Sequence, residues 1–509
     1  MKKNLVTSAV ILICAGLITR ILGFVYRIYM SGIIGAEGMG LYQLVLPVYT
    51  LAWSITCSGF TTTISKLTSA QKAKGRYGNM LRFLSLAIII TTTLGIILGI
   101  IIYSFSDIIA SQIFNEPRIE LSLKILGFGV PFMAAGSCIR GYFYGLHDSL
   151  IPAISQVLEQ VARMFVIYIL SYYLLSLGLE VAVAAAVVGI VVGEILSFLY
   201  VAFAFKDYNK KGVVPQYSYT VKKSLGMLIA LSVPLSLSRV TGSLLSTVEN
   251  ILIPRRLMVY GMSHTEALAE FGKLTGMAMP LIQLPSVILV ALSISLVPAI
   301  SEALELNNYK TINNTVSKTM TFSMVIGIGA AGGFIIFANV IGQIIYSQDI
   351  AFMLMYLGLL SPFLYTNMLL TGILNGLGQQ LFIFRNSLIA SVISISFVYF
   401  LVPHVGVYGF ILGWFVSLLC LSIINIKKIR QVAKIKIEGS TWFFKPIISV
   451  AAAMVFISTI KSGTINMLGL TWGTGFAMTI MGLVYFGFIF LTGCLEINDV
   501  KNLLGRGGK

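Results

Sequence analysis

From about residue 5 to residue 494 the chain is a succession of apolar runs of roughly twenty residues, each long enough to cross the hydrocarbon core of a bilayer. With 57% hydrophobic residues, 10% charged residues and a mean hydropathy of +0.93, a soluble enzyme of 509 residues is excluded. Expected spans lie near 5–30, 41–65, 80–105, 121–146, 151–177 and 181–205, and a second series near 224–252, 274–300, 316–346, 351–375, 380–402 and 405–426. Two more follow near 442–461 and 470–494. The expected fold class is an all-α polytopic membrane protein with about fourteen transmembrane helices.

The chain also repeats itself. Ala36-Glu37 and Pro47 recur as Ala269-Glu270 and Pro280 at an offset of 233, and Pro131-Phe132, Gly141 and Gly145-Leu146 recur as Pro362-Phe363, Gly372 and Gly376-Leu377 at an offset of 231. Such self-similarity predicts two pseudo-symmetric six-helix lobes, residues 1–205 and 224–426, joined by a cytoplasmic linker, 206–223. A basic cytoplasmic loop, 427–441, then leads to two extra helices and a tail, 442–509, which have no counterpart in the repeat. Small-residue stripes at four-residue spacing, Ala185, Gly189 and Gly193 in the sixth span and Gly409, Gly413 and Ser417 in the twelfth, suit close helix packing within each lobe. Pro47 in the second span and Pro280, Pro285 and Pro298 in the eighth predict bent helices.

A net charge of +17 suggests nucleic acid in a soluble protein, but here the basic residues collect in alternate loops, the mark of cytoplasmic loops. The clusters are Lys66, Lys72, Lys74, Arg76 and Arg82; Lys206, Lys210, Lys211, Lys222 and Lys223; and Lys427, Lys428, Arg430, Lys434, Lys436 and Lys445. Lys2 and Lys3 at one end and Lys501, Arg506 and Lys509 at the other fall on the same side, so both termini are expected in the cytoplasm, with the first helix uncleaved. Five cysteines without paired spacing and three isolated histidines propose neither a disulfide framework nor a metal site. No Walker loop, nucleophile elbow or supported carboxylate pair is present, so neither an enzyme nor a cofactor is expected.

Charges inside spans are costly, about 2.5 to 3.5 kcal/mol even on a lenient scale, and mark cavities or partners. Arg20 and Arg27 lie seven residues apart on one face of the first helix, and the first helix of the second lobe carries Arg239 and Glu249 with Arg255 and Arg256 at its outer end. Arginine offers a fixed fork of donors that suits phosphate, so Arg20, Arg27, Arg239, Arg255, Arg256 and Lys273 are the candidate substrate-binding residues for an anion such as a pyrophosphate. Arg27, Arg255 and Arg256 equally suit snorkelling to the interface. Glu159 and Arg163, spaced i,i+4, together with Glu194 and Glu249, are candidates for ion binding or for pairing. His147 and Asp148 read as a turn.

The run Thr19-Arg20-Ile21-Leu22-Gly23-Phe24-Val25-Tyr26-Arg27, followed by Gly35-Ala36-Glu37-Gly38-Met39-Gly40-Leu41-Tyr42-Gln43-Leu44, resembles the sporulation group of the polysaccharide-transporter branch. That branch belongs to the superfamily that also holds multidrug extrusion proteins and lipid II flippases. The resemblance implies two lobes around a cationic cavity and passage of an undecaprenyl-pyrophosphate-linked saccharide or peptidoglycan precursor, in spore cortex or cell-wall synthesis. Arg20 matches the arginine of the related flippases' Ser-Arg-x-x-Gly motif, whereas Arg27 is offset from their next basic position. The last two helices would hold the lipid tail. Implied partners are the lipid-linked anionic glycan, membrane lipids and cell-wall synthases, with no nucleic acid. An ion-coupled exporter of small organic cations and a non-transporting scaffold for wall enzymes stand as alternatives, the first opposed by a cationic cavity.

Overall fold

The structure is a computed structural model that describes residues 2–174, 177–209, 217–433 and 439–495. The expectations for Lys210, Lys211, Lys434, Lys436, Lys501, Arg506 and Lys509 lie outside the described residues. Within them all regular structure is helical.

Helix α1 (Lys2–Trp53) joins the first two expected spans into one element of 52 residues. It bends at Gly35, whose φ of 64° and ψ of −169° suit a residue without a β-carbon. A π-helical segment, Ser54–Ser58, then carries it into α2 (Gly59–Ala73). The apolar run Ile11–Ala73 has 63 residues, far too many for one crossing at 1.5 Å per residue. Counted as two crossings at the Gly35 bend, it brings the thirteen candidate spans among the described residues to the expected fourteen.

Helices α3 (Tyr77–Ser104), α4 (Ser106–Ile108), α5 (Glu120–Gly145), α6 (Leu150–Leu174) and α7 (Leu179–Asn209) complete the first series, and α8 (Val221–Val259) and α9 (His264–Gly272) open the second. After a π-helical segment, Lys273–Ala278, come α10 (Met279–Gln283), α11 (Val287–Glu305), α12 (Tyr309–Tyr346), α13 (Ala351–Gly376), α14 (Gln380–Phe400), α15 (Val402–Val405) and α16 (Val407–Ala433). The last pair is α17 (Lys445–Leu468) and α18 (Leu470–Leu491). The expected span at 274–300 is interrupted between α10 and α11, beside Pro285, whose ring nitrogen has no proton to continue the ladder. By compactness the chain forms two units, residues 1–255 with 262–272, and residues 256–261 with 273–509.

The repeat is visible as matching contacts inside each unit. A β-carbon on Gly141 of α5 would stand 2.7 Å from the Thr61 carbonyl oxygen of α2, and one on Gly372 of α13 would stand 2.7 Å from the Ser293 carbonyl oxygen of α11. Gly145 likewise meets the Ser65 carbonyl and Gly376 the Val297 carbonyl. Gly95 of α3 presses on Pro131 of α5, and Gly327 of α12 presses on Pro362 of α13. The same interfaces share a hydroxyl contact, Thr91 to the Ala134 carbonyl at 3.5 Å in one and Ser323 to Thr366 at 3.1 Å in the other. Helices without lipid between them approach through small residues, so these positions are held by steric necessity. The chain leaves α5 through His147 (φ 62°) and α13 through Gly378 (φ 71°), so the expected turn at His147-Asp148 has a partner in the second series.

One contact joins the repeats themselves. Gly40 of α1 packs so closely on α9 that a β-carbon there would overlap the Leu268 carbonyl oxygen, and one on Gly272 of α9 would overlap the Ala36 carbonyl oxygen. Each helix contributes one glycine that meets a backbone carbonyl of the other, so the close contact is made from both sides. Gly272→Val is expected to force α1 and α9 apart at an overpacking cost of about 1 to 3 kcal/mol. Thermal unfolding of purified protein in detergent measures it, and a melting temperature equal to wild type would contradict the assigned crossing.

Candidate functional site

Helices α5, α6 and α7 carry a buried charged cluster in the first unit. Gly189 and Gly193 of α7 let α6 approach until their β-positions lie 3.1 Å from the Arg163 carbonyl oxygen and 2.8 Å from that of Glu159. In α16 the equivalent stripe packs on α14, where the Ser417 hydroxyl donates to the Ala390 carbonyl at 3.0 Å. Both stripes therefore serve packing within their own unit.

The close approach of α6 and α7 brings the acidic residues together. Arg163 Nη2 donates to Glu159 Oε1 at 2.9 Å. The Tyr49 hydroxyl of α1 donates to Glu194 Oε1 at 2.5 Å, Arg140 Nη2 of α5 stands 3.9 Å from Glu194 Oε2, and Arg140 Nη1 donates to Ser197 Oγ at 2.8 Å. Glu194 is buried, with 4% of its side chain exposed, so its charge requires this company. Two carboxylates and two guanidinium groups balance, which leaves the cluster neutral as a set. Arg140 and Tyr49 escape a search of the sequence for local pairs, because their partner lies 54 and 145 residues away.

The arginines of α1 stand elsewhere. Two apolar grooves of about 500 and 460 Å³ run between α1 and α6, the first lined by Ile18 and the second by Leu22, Val25 and Tyr29. Arg20 is two residues from both Ile18 and Leu22, and Arg27 is two from both Val25 and Tyr29. Two residues are about 200° of helix, so both arginines face away from the grooves. Arg20, midway along the arm before Gly35, is exposed and forms neither a hydrogen bond nor an ion pair with any described residue. Arg27 is half-buried beside Tyr26.

The remaining candidates are dispersed. Arg239 lies 5.8 Å from the Trp53 ring, and Arg255 Nη2 donates to the carbonyls of Gln112 and Ile113 at 3.0 and 2.7 Å. In the second unit Arg256 sits 3.6 Å over the Tyr399 ring, and Lys273 begins the π-helical segment, half-buried. Glu249 lies half-buried on α8. A second network beside the α1–α9 crossing was not legible in the sequence: Arg118 donates to Glu37 at 2.7 Å and to both oxygens of Glu116 at 2.8 and 2.9 Å, and His264 of α9 lies 3.5 Å from Glu116.

In the second unit α17 and α18 pack on α12. Tyr485 donates to the Val325 carbonyl at 2.7 Å and Lys461 to the Ile336 carbonyl at 2.7 Å. Beside these contacts lies an apolar groove of about 460 Å³, lined by Phe322, Phe334, Met478, Met481 and Phe486 and widened by Gly329, Gly333 and Gly482.

Residues 5–304 match the family described as polysaccharide biosynthesis protein. The chain belongs to that family. Stage V sporulation protein B of Bacillus subtilis (strain 168) is 29% identical over 445 residues, 86% of this chain and 86% of that one. Lipid II flippase MurJ of the same organism is 25% identical over 353 residues, 65% of this chain and 64% of the other. The solved lipid II flippase MurJ in its inward closed conformation shares the fold, with a TM-score of 0.65 at 14% identity over 95% of this chain and 99% of that one. In the α5–α7 cluster the charges are paired, while Glu194 Oε2 and Arg163 Nε are buried without a hydrogen-bond partner among the described residues.

Arg140→Met is expected to lower stability by about 3 to 5 kcal/mol, because it strands the buried Glu194 charge. Arg140→Met combined with Glu194→Met should recover most of that loss in the same thermal-unfolding measurement. An unchanged melting temperature in the single variant would show that the pair contributes nothing.

Proposed function

We propose that this family member is a flippase that moves an undecaprenyl-pyrophosphate-linked saccharide or peptidoglycan precursor across the cell membrane by alternating access. The observation that carries the reading is Arg20. It is a permanently charged group midway along a span, turned away from the apolar grooves, with no protein acceptor among the described residues. An external anion is the natural counter-charge, and a guanidinium fork matches phosphate oxygens. Arg27 on the same face, and Arg239 and Lys273, are proposed to extend the anionic path. Arg255 and Arg256 are occupied by carbonyls and a ring, so their proposed part is secondary. The apolar groove beside α18 suits a lipid tail that stays outside the polar path.

The sequence relatives support this substrate class, since one is named a lipid II flippase and another a sporulation protein. Basic residues in the α2–α3 turn and at the ends of α7 and α16 support an orientation with both termini in the cytoplasm. The protein acts in this reading as a carrier and not as an enzyme, in spore cortex or cell-wall synthesis, with synthases as its proposed clients. A substrate made of small organic cations is disfavoured by the arginine face.

Purified protein in liposomes with a fluorescent lipid-linked precursor tests the proposal. Wild type should translocate the precursor, and Arg20→Ala should fall at least about tenfold, the scale of one lost charge-assisted contact of about 1.5 kcal/mol. Absence of translocation by the wild type, or equal rates in the variant, would overturn it.

A further inference from the structure

The first unit ends on one side in a cationic notch that the flippase reading does not use. It is formed by the turn between α2 and α3 and by Tyr217–Thr220, just before α8. Fully buried Asn79 builds it: its Oδ1 accepts from the backbone N–H groups of Ser218 and Tyr219 at 3.0 and 3.3 Å, and its Nδ2 donates to Gln71 at 3.1 Å. Around the fixed Tyr219 ring stand Lys223 Nζ at 4.9 Å and the Arg76 guanidinium at 5.8 Å, and Arg76 Nη1 donates to the Tyr219 hydroxyl at 3.3 Å. Arg82 lies 4.1 Å over the Tyr217 ring and donates to the Tyr219 carbonyl. The hydrogen bond with Gln71, and secondarily the nearby Arg76 and Lys74 charges, hold the Tyr219 hydroxyl below the usual tyrosine range.

Lys74, Arg76 and Lys223 are exposed, and none of them forms an ion pair with a described carboxylate. The Tyr219 ring holds Arg76 and Lys223 in place and leaves most of their N–H donors unspent. The notch also lies where two membrane-length helices begin, α3 at Tyr77 and α8 at Val221, both exposed residues. Tyrosine beside lysine and arginine at a span's end marks the level of the lipid head groups. We infer that this notch is a binding site for the phosphate of an anionic phospholipid, held by Lys74, Arg76 and Lys223 against the Tyr219 ring. Bound there, the lipid ties the α2–α3 turn to the start of α8. The site does not depend on what the protein transports.

Native mass spectrometry of the full chain in micelles containing equal phosphatidylglycerol and phosphatidylcholine tests this. Wild type should retain phosphatidylglycerol selectively. The variant Lys74→Gln/Arg76→Gln/Lys223→Gln should bind it about a hundredfold more weakly, at roughly fivefold per charge. The variant Lys427→Gln/Lys428→Gln/Arg430→Gln, with the same loss of charge elsewhere, should match wild type. Inorganic phosphate at the same concentration should not displace the lipid. Equal retention of the two lipids, equal loss in both variants, or displacement by phosphate would each overturn the proposal. Should the first variant fail to fold, Lys74→Gln alone should weaken retention about fivefold, and no change would count against the site.

Discussion

The crossing of α1 and α9 is the constraint on which the rest of the arrangement depends. Gly40 of α1 meets the Leu268 carbonyl and Gly272 of α9 meets the Ala36 carbonyl, one glycine from each helix. Backbone meets backbone there, and no side chain larger than a hydrogen atom fits at either glycine. The Ala-Glu pairs that reveal the duplication in the sequence flank this contact. Beside it, Glu37, Arg118, Glu116 and His264 form a polar network that reaches from α1 to α9. Steric fit and ion pairing thus act at one place, and we propose that this contact is the one that parts when access alternates.

The charges within the spans divide by whether the protein itself neutralises them. Glu159, Arg163, Glu194 and Arg140 are mutually compensated, and the small residues of α7 are what bring them together. Arg20 lies outside this compensation, and its charge cannot be titrated away. The α17–α18 hairpin supplies the complementary apolar element, joined to α12 through Tyr485 and Lys461 rather than left as a free appendage. The proposed function combines these two features, an anion-seeking face and an apolar groove.

Apolar run length and the spacing of glycine and proline carried most of the fold. They placed most span ends to within about seven residues, because a bilayer demands length and a close crossing demands glycine at fixed positions. What they could not show was continuity. Gly35 keeps two spans in one bent element, and Pro285 breaks the span expected at 274–300. Both depend on backbone angles that neighbours impose. The i,i+4 pair Glu159–Arg163 could be read because it is local, but Arg140 and Tyr49 reach Glu194 only through folding. Arg255 and Arg256 are adjacent in sequence yet bind carbonyls in one unit and a ring in the other, a division that no spacing rule contains.

The central claim is that a lipid-linked anion is carried across by alternating access, with the α1–α9 crossing proposed as the contact that opens. Spin labels at Ile33 on α1 and at Glu266 on α9, in the full chain reconstituted with its precursor, measure that separation directly by pulsed electron resonance. The account predicts a short distance without precursor and a second, longer population during turnover. A single short distance in protein that is actively translocating would contradict it.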